Sequence, residues 1–206
     1  MTGDALTAVN VYAIAGDDGV DLIDAGMALA QARERLTEAP AQLGYGLPDI
    51  RNFFEAGAVL FAGDHVLPHI TPSVGFQPAV ARLALDQYLG SLRLMLALPD
   101  ARLLPAHGPV ADSTHARVNE LLAHHETRLG QTLDVAAAGP VTAFAVAAAL
   151  PWTRRKRRLA ELDPMNQMLA VGESAAHLEV LVLRGTLTRL TSPEGVYLYT
   201  LPQPVG

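Results

Sequence analysis

Five side chains of this sequence stand where chemistry could be done. Asp64 and His65 follow the apolar run Val59-Leu60-Phe61 across Gly63, and His69 lies four residues further on. Asp24 follows Leu22-Ile23, and His107 follows Leu103-Leu104 in Pro105-Ala106-His107-Gly108-Pro109. Each lies just past a stretch that reads as a strand. There a rigid backbone aims the side chain and the following loop leaves it reachable, as a metal ligand requires. The plainer alternative is a strand closing in an ordinary Gly-Asp turn, with His65 and His69 on a polar loop. Cysteine is absent, so disulfides, a thiol nucleophile and a thiolate metal site are excluded, and any metal must be held by His and carboxylate groups.

The other candidates are weaker. His124 and His125 are adjacent on a helical stretch, where neighbouring side chains point about 100° apart, so they cannot chelate one ion and read as surface residues. His115 and His177 are isolated on helical stretches and read as surface or capping groups. No serine sits in a nucleophile-elbow context, which leaves a serine hydrolase without support. The one basic cluster is Thr153–Arg158, with Arg154, Arg155, Lys156, Arg157 and Arg158 in succession. It could contact phosphate or nucleic acid, or be a solvated loop between helices.

The elements that must position these residues follow from periodicity and turn chemistry. Val9–Ala15 and Val20–Ile23 read as strands joined at Gly16-Asp17-Asp18-Gly19. Met27–Leu43 reads as a helix kinked or shortened at Pro40. A strand or hairpin spans Phe53–Phe61, a Pro/Gly-rich loop spans Thr71–Pro78, and an apolar-faced helix spans Ala79–Leu98. Ala101–Leu104 is a short strand. A long helix covers Ser113–Val135, with Ser113 or Thr114 as its N-cap, and Gly139-Pro140 ends it. A short helix (Thr142–Leu150) and a third helix (Asn166–Arg184, interrupted or bent near Gly172) precede a hairpin pairing Thr186–Leu190 with Val196–Leu201. Three helices followed by a hairpin is the order of a winged helix.

Composition bounds the rest. The chain has 206 residues, 50% of them apolar and 17% charged, with a formal net charge of −6, enough to bury a real core. Up to Asp112 there are 13 acidic against 6 basic residues, a net of −7; from Ser113 there are 8 against 9, a net of +1. That split suggests a division into 1–112 and 113–206. The N-terminus shows no secretory signal, and the apolar stretch Val135–Leu150 is interrupted and too short to span a bilayer, so the expectation is a cytoplasmic protein with no membrane partner.

The ordered segments VNVYAI, LIDAGM, LFAGDHVLPHITP and LLPAHGP resemble the metallo-β-lactamase superfamily, in the branch that carries a C-terminal winged helix and includes hydrolases similar to the mitochondrial β-lactamase-like endoribonuclease. The segment from Trp152 to Gly185 is similar to that branch's associated domain. The resemblance implies an α/β (α+β) chain, a partial αββα sandwich over 1–112 followed by a winged helix over 113–206. It implies zinc as cofactor, with Asp64 as the carboxylate bridging two metals, His107 as a histidine ligand and Asp24 as a carboxylate orienting a ligand from behind. The substrate class it implies is a small-molecule ester or thioester, or RNA.

The sequence departs from the family's pattern in one place. The family's His-x-His-x-Asp-His motif belongs on the loop that Leu47–Asn52 approaches, yet Phe53–Gly57 resembles a segment found much later in the family. An internal deletion at Asn52/Phe53 accounts for this, and no His-x-His occurs anywhere in the chain. Asp64 and His107 are then too few ligands for a dizinc site, and only His65 or His69 could substitute. The expectation is a metal-dependent hydrolase with impaired activity and an exposed sheet favouring homo-oligomers. The alternatives are a catalytically inactive interaction or scaffold protein, or a winged-helix nucleic-acid-binding module.

Overall fold

Two stretches of parallel backbone set up the site. In the computed structural model, which describes residues 12–16, 19–23, 59–72 and 84–202, β3 (Val59–Gly63) pairs in parallel with β4 (Arg102–Pro105). The register runs Val59↔Arg102, Leu60↔Leu103, Phe61↔Leu104, then shifts so that Gly63 faces Pro105. The short apolar runs are suited to this, because parallel strands are covered on both faces. Leu103 is fully buried, and its backbone also exchanges hydrogen bonds with Ala111 on the far side (2.8 and 3.1 Å). An antiparallel hairpin precedes them, β1 (Tyr12–Gly16) with β2 (Gly19–Ile23), in register from Tyr12↔Ile23 to Gly16↔Gly19, as the turn residues imply. The helix expected over Met27–Leu43 lies outside the described residues.

Chain contacts divide the molecule into two units. One comprises Met1–Pro72 with Leu98–Val118, the other Ser73–Ala97 with Asn119–Gly206. The helix α1 (Ala84–Leu96) therefore groups with the C-terminal elements, although it lies between β3 and β4 in sequence. The cause is its apolar face: Leu85, Tyr88, Leu89 and Leu92 recur at helical spacing and are buried.

The helix α2 (Thr114–Ala137) starts where hydroxyl and carboxylate chemistry demand it. Ser113 Oγ accepts from the Ala116 N–H (3.0 Å), which makes Ser113 the N-cap, while Asp100 accepts from Ser113 Oγ (2.6 Å) and from the His115 N–H (2.9 Å). Those contacts hold the Asp100 carboxyl below its ordinary range, the His115 amide first. In the second unit, α3 (Ala143–Ala149) is capped by Thr142, whose Oγ1 accepts from the Ala145 N–H at 3.1 Å. A short 3-10 turn (Leu159–Glu161) leads to α4 (Pro164–Leu183). Asp163 caps α4 and Pro164 occupies its first turn, so the helix starts two residues earlier than apolar spacing alone places it. It also runs unbroken through Gly172, where the sequence suggests a bend. One helical glycine costs only about 1 kcal/mol, which packing overrides.

The hairpin β5 (Thr188–Thr191) and β6 (Tyr197–Thr200) is tied to α4 by charge-assisted bonds. Arg189 donates to both Glu179 oxygens (2.7 and 2.8 Å), and Tyr199 Oη donates to Glu179 at 2.8 Å. Tyr199 also exchanges backbone hydrogen bonds with Val141.

His125 and His177, read from sequence as surface groups, are instead buried, each 1% exposed, and lie against each other. On α2 the stripe Val118, Leu121, His125, Leu129, Thr132, Ala136 is buried throughout, so His125 occupies a core position by spacing. Its neighbour His124, turned about 100° away, is exposed. His177 Nδ1 must donate to the Glu173 carbonyl (2.8 Å), because a carbonyl only accepts. Its Nε2 is then the acceptor for His125 Nδ1–H at 3.2 Å, with the rings stacked 5.3 Å apart. This leaves His125 Nε2 a bare lone pair, buried without a partner among the described residues.

Burial pushes His125 down to about 3 and His177 to about 4, with the neighbouring cationic groups adding to both. Both lie below the unfolded value near 6.5, so on acidification the unfolded chain takes up protons that the folded chain refuses. The stability that the neutral pair contributes is full above pH 6.5 and falls as the pH drops towards 4. Glu173, raised by burial, has the opposite slope, so the pair is isolated by difference. Urea unfolding should show a stability deficit at pH 5 relative to pH 7 that is abolished in the double variant His125→Leu/His177→Leu. Parallel pH profiles for the two proteins would refute the tautomer and charge assignment.

Candidate metal site at the strand exits

The parallel pairing of β3 and β4 brings their exits side by side. Ala106 N–H donates to the Gly63 carbonyl at 3.0 Å, so the ladder continues one step past β4 and places residues 64 and 107 together. His107 Nε2 lies 3.2 Å from Asp64 Oδ1, with the imidazole largely covered (13% exposed) and the carboxylate open (70%). At that distance the two groups can share a proton or face one small cation.

Backbone shape makes this approach possible. Gly63, with φ of +52°, turns the chain sharply after β3, and the His65 N–H closes the turn on the Ala62 carbonyl at 2.9 Å. The loop then runs over the buried side chains of Val66 and Leu67. Arg117, early in α2, clamps it by donating to the Leu67 carbonyl (2.6 Å, Nε) and the Ile70 carbonyl (3.1 Å, Nη2). Gly108 has φ of +90°, and a Cβ there would come within 2.7 Å of Pro68 Cγ. The glycine after His107 is thus required by the close passage of the other loop.

Of the remaining candidates, His65 is half-buried, and burial lowers its pKa, which favours the neutral ring. His69 is exposed, with its ring 3.9 Å from where a Gly108 Cβ would lie. Among the described residues no group of three or more His, Asp or Glu side chains could hold a metal ion. A catalytic zinc takes about three protein ligands and an open position. The described residues therefore do not fit a resident catalytic zinc. Asp24 lies outside the described residues. Arg154, Arg155, Lys156, Arg157 and Arg158 belong to the second unit, and all five are exposed.

Sequence reasoning passes over Arg117 and the pairing of Gly108 with Pro68. A signal exists for the glycine alone, because Gly after a strand-exit histidine announces a positive φ or a close approach. Replacing Gly108 with Ala should cost roughly 1–3 kcal/mol of stability, from the left-handed backbone and the Pro68 contact together. Chemical unfolding of the variant checks this, and a loss below a few tenths of a kcal/mol would contradict the crowding.

Comparison with known proteins bears on the family and the fold. Residues 5–52 match the family model of the metallo-beta-lactamase superfamily, and residues 129–202 match that of the metallo-beta-lactamase-like C-terminal domain. A beta-lactamase domain protein from Burkholderia ambifaria is 26% identical with a TM-score of 0.61, over 85% of this chain and 60% of that one. This chain thus spans about three fifths of that relative's length. A metallo-beta-lactamase family protein from Thermus thermophilus superimposes with a TM-score of 0.68 at 19% identity, over 94% of each chain. No curated protein matches. No helix among the described residues is long and apolar enough to cross a membrane. The family models, the mixed helix-and-strand architecture and the similar structures agree on a metallo-beta-lactamase-like fold, with residues 5–52 and 129–202 each similar to a domain of that superfamily, whose members generally bind metal ions.

Proposed function

We propose that this chain is a cytoplasmic hydrolase of the metallo-β-lactamase type, acting on an ester, thioester or phosphodiester, with its metal chemistry impaired. The observation that carries the reading is the 3.2 Å approach of His107 to Asp64 at the paired strand exits. The ligand deficit carries the impairment. The superfamily match over 5–52 stops at the residue where the family's segment order breaks, which supports an excision at Asn52/Phe53 that removed the His-rich motif. On this reading 1–112, apart from the helix α1 that groups with the second unit, is a partial sandwich, the C-terminal part from 113 onward is a winged helix, and the uncovered sheet favours homo-oligomers.

What the pair can do by itself is acid–base chemistry. A neutral imidazole accepts a proton from an attacking water, and the adjacent Asp64 carboxylate orients the ring and stabilises the imidazolium that forms. General base catalysis of this kind contributes about 10²–10⁴-fold, far short of a complete dizinc hydrolase. Any zinc taken up would be held by Asp64 and His107, with His65 or His69 as the only nearby substitutes in sequence.

The expected outcome for the purified chain is less than about one tightly held zinc per molecule, since two ligands fall short of the three a catalytic site needs. Hydrolysis of activated esters should be slow, and His107→Ala should remove both the residual zinc and the residual hydrolysis. Two equivalents of zinc by elemental analysis, together with rapid turnover unaffected by His107→Ala, would overturn both the site and its impairment.

A further inference from the structure

The basic run is a built element, not a frayed linker. Trp152 anchors it: the indole is buried, its Nε1–H donates to the Ala147 carbonyl at 2.7 Å, and the Arg128 guanidinium lies 4.2 Å from the ring centroid. From that foot the Trp152 N–H donates to the Arg157 carbonyl (2.7 Å) and the Lys156 N–H to the Thr153 carbonyl (3.1 Å), closing a tight loop with Arg154 and Arg155 at its tip. Thr153 and Lys156 both adopt left-handed backbone, φ of 61° and 54°, and they are the only described non-glycine residues to do so. For a β-branched threonine this is a true outlier, and such outliers persist only where the surroundings enforce them. The result is a rigid display of five consecutive cations on a chain whose formal charge is −6. Among the described residues Arg155, Lys156 and Arg157 form no ion pair.

A groove adjoins the last of these cations. Phe144 and Ala148 of α3, Arg158, Leu159 and Ala160 at the 3-10 turn, and Gln167 of α4 line an open cavity of about 330 Å³. That volume falls at the small end of the range for discrete ligands. Its walls are apolar apart from Arg158 and Gln167, and Phe144 is 62% exposed. An aromatic ring left in solvent beside a cation is the pairing on which a nucleobase stacks while its phosphates meet the charge. Arg158 is held in place because its Nη1 donates to the Ala149 carbonyl (2.8 Å) and its backbone N–H to Glu161 (2.6 Å). The Glu161 carboxylate is thereby engaged at the turn.

We infer that this groove and loop form a binding site for a nucleoside phosphate, the base on Phe144 and the phosphates at Arg158 and the Arg155–Arg157 loop. The site lies wholly within the second unit and does not depend on Asp64, His107 or any metal.

Equilibrium dialysis of the full chain against ADP and, separately, pyrophosphate at low salt tests this. Saturable binding of both is expected, with ADP the tighter by about tenfold, as base–aromatic stacking supplies. Phe144→Ala should bring ADP down to the affinity of pyrophosphate and leave pyrophosphate unchanged. Arg155→Gln/Arg157→Gln should weaken both ligands by about tenfold, since charge-assisted contacts to phosphate are lost. The substituted residues are at the surface, and unchanged circular dichroism confirms that the variants fold. Absence of saturable binding, equal affinity for the two ligands, or variants that bind like the parent would each overturn the site.

Discussion

The candidate site rests on one interaction, the parallel pairing of Val59–Gly63 with Arg102–Pro105. These segments lie about forty residues apart, and neither carries a complete functional group set. Their shared register, extended by the Ala106-to-Gly63 hydrogen bond, is what sets Asp64 and His107 3.2 Å from each other. A one-residue slip would turn alternate side chains to the opposite face and separate the exits. Burial of Leu103 and the Ala111 bonds on the outer edge of the strand resist that slip.

The second unit solves a different problem, that of placing polar groups in a helical core. A buried imidazole is tolerated only when its N–H donors are met. The relay from His125 through His177 to the Glu173 carbonyl meets both donors and leaves a single acceptor unpaired. The unpaired atom is an acceptor, which is the less costly kind to leave alone. The arrangement holds while both rings are neutral, which ties the packing of this unit to pH.

Sequence is most informative where one residue type has one physical use. Thr142 and Ser113 cap helices because their hydroxyls reach orphan N–H groups, and the Gly16–Gly19 turn closes a hairpin because its chemistry suits few other structures. It is least informative where position overrides type. His125 looks like a surface histidine until its four-residue spacing from both Leu121 and Leu129 is counted. Apolar spacing alone misplaces the start of the last helix, which the Asp163-Pro164 pair sets. The approach of residue 64 to residue 107 is legible only through the family's segment order, since local pattern does not encode which strands pair.

What holds Asp64 and His107 together is backbone and steric constraint: the ladder, the left-handed glycines at 63 and 108, the Pro68 contact and the Arg117 clamp on two carbonyls. None of these involves a metal, a substrate or a missing ligand. The geometry therefore follows from the strands and loops of the first unit and persists whether or not catalysis does. The carboxylate–imidazole pair fixes where the proposed chemistry would occur, and the number of ligands that can converge on an ion sets how much metal chemistry it can support. The superfamily's architecture can outlast its chemistry because the two depend on different residues. In this chain those that shape the strand exits are in place, and no His-x-His occurs in the sequence.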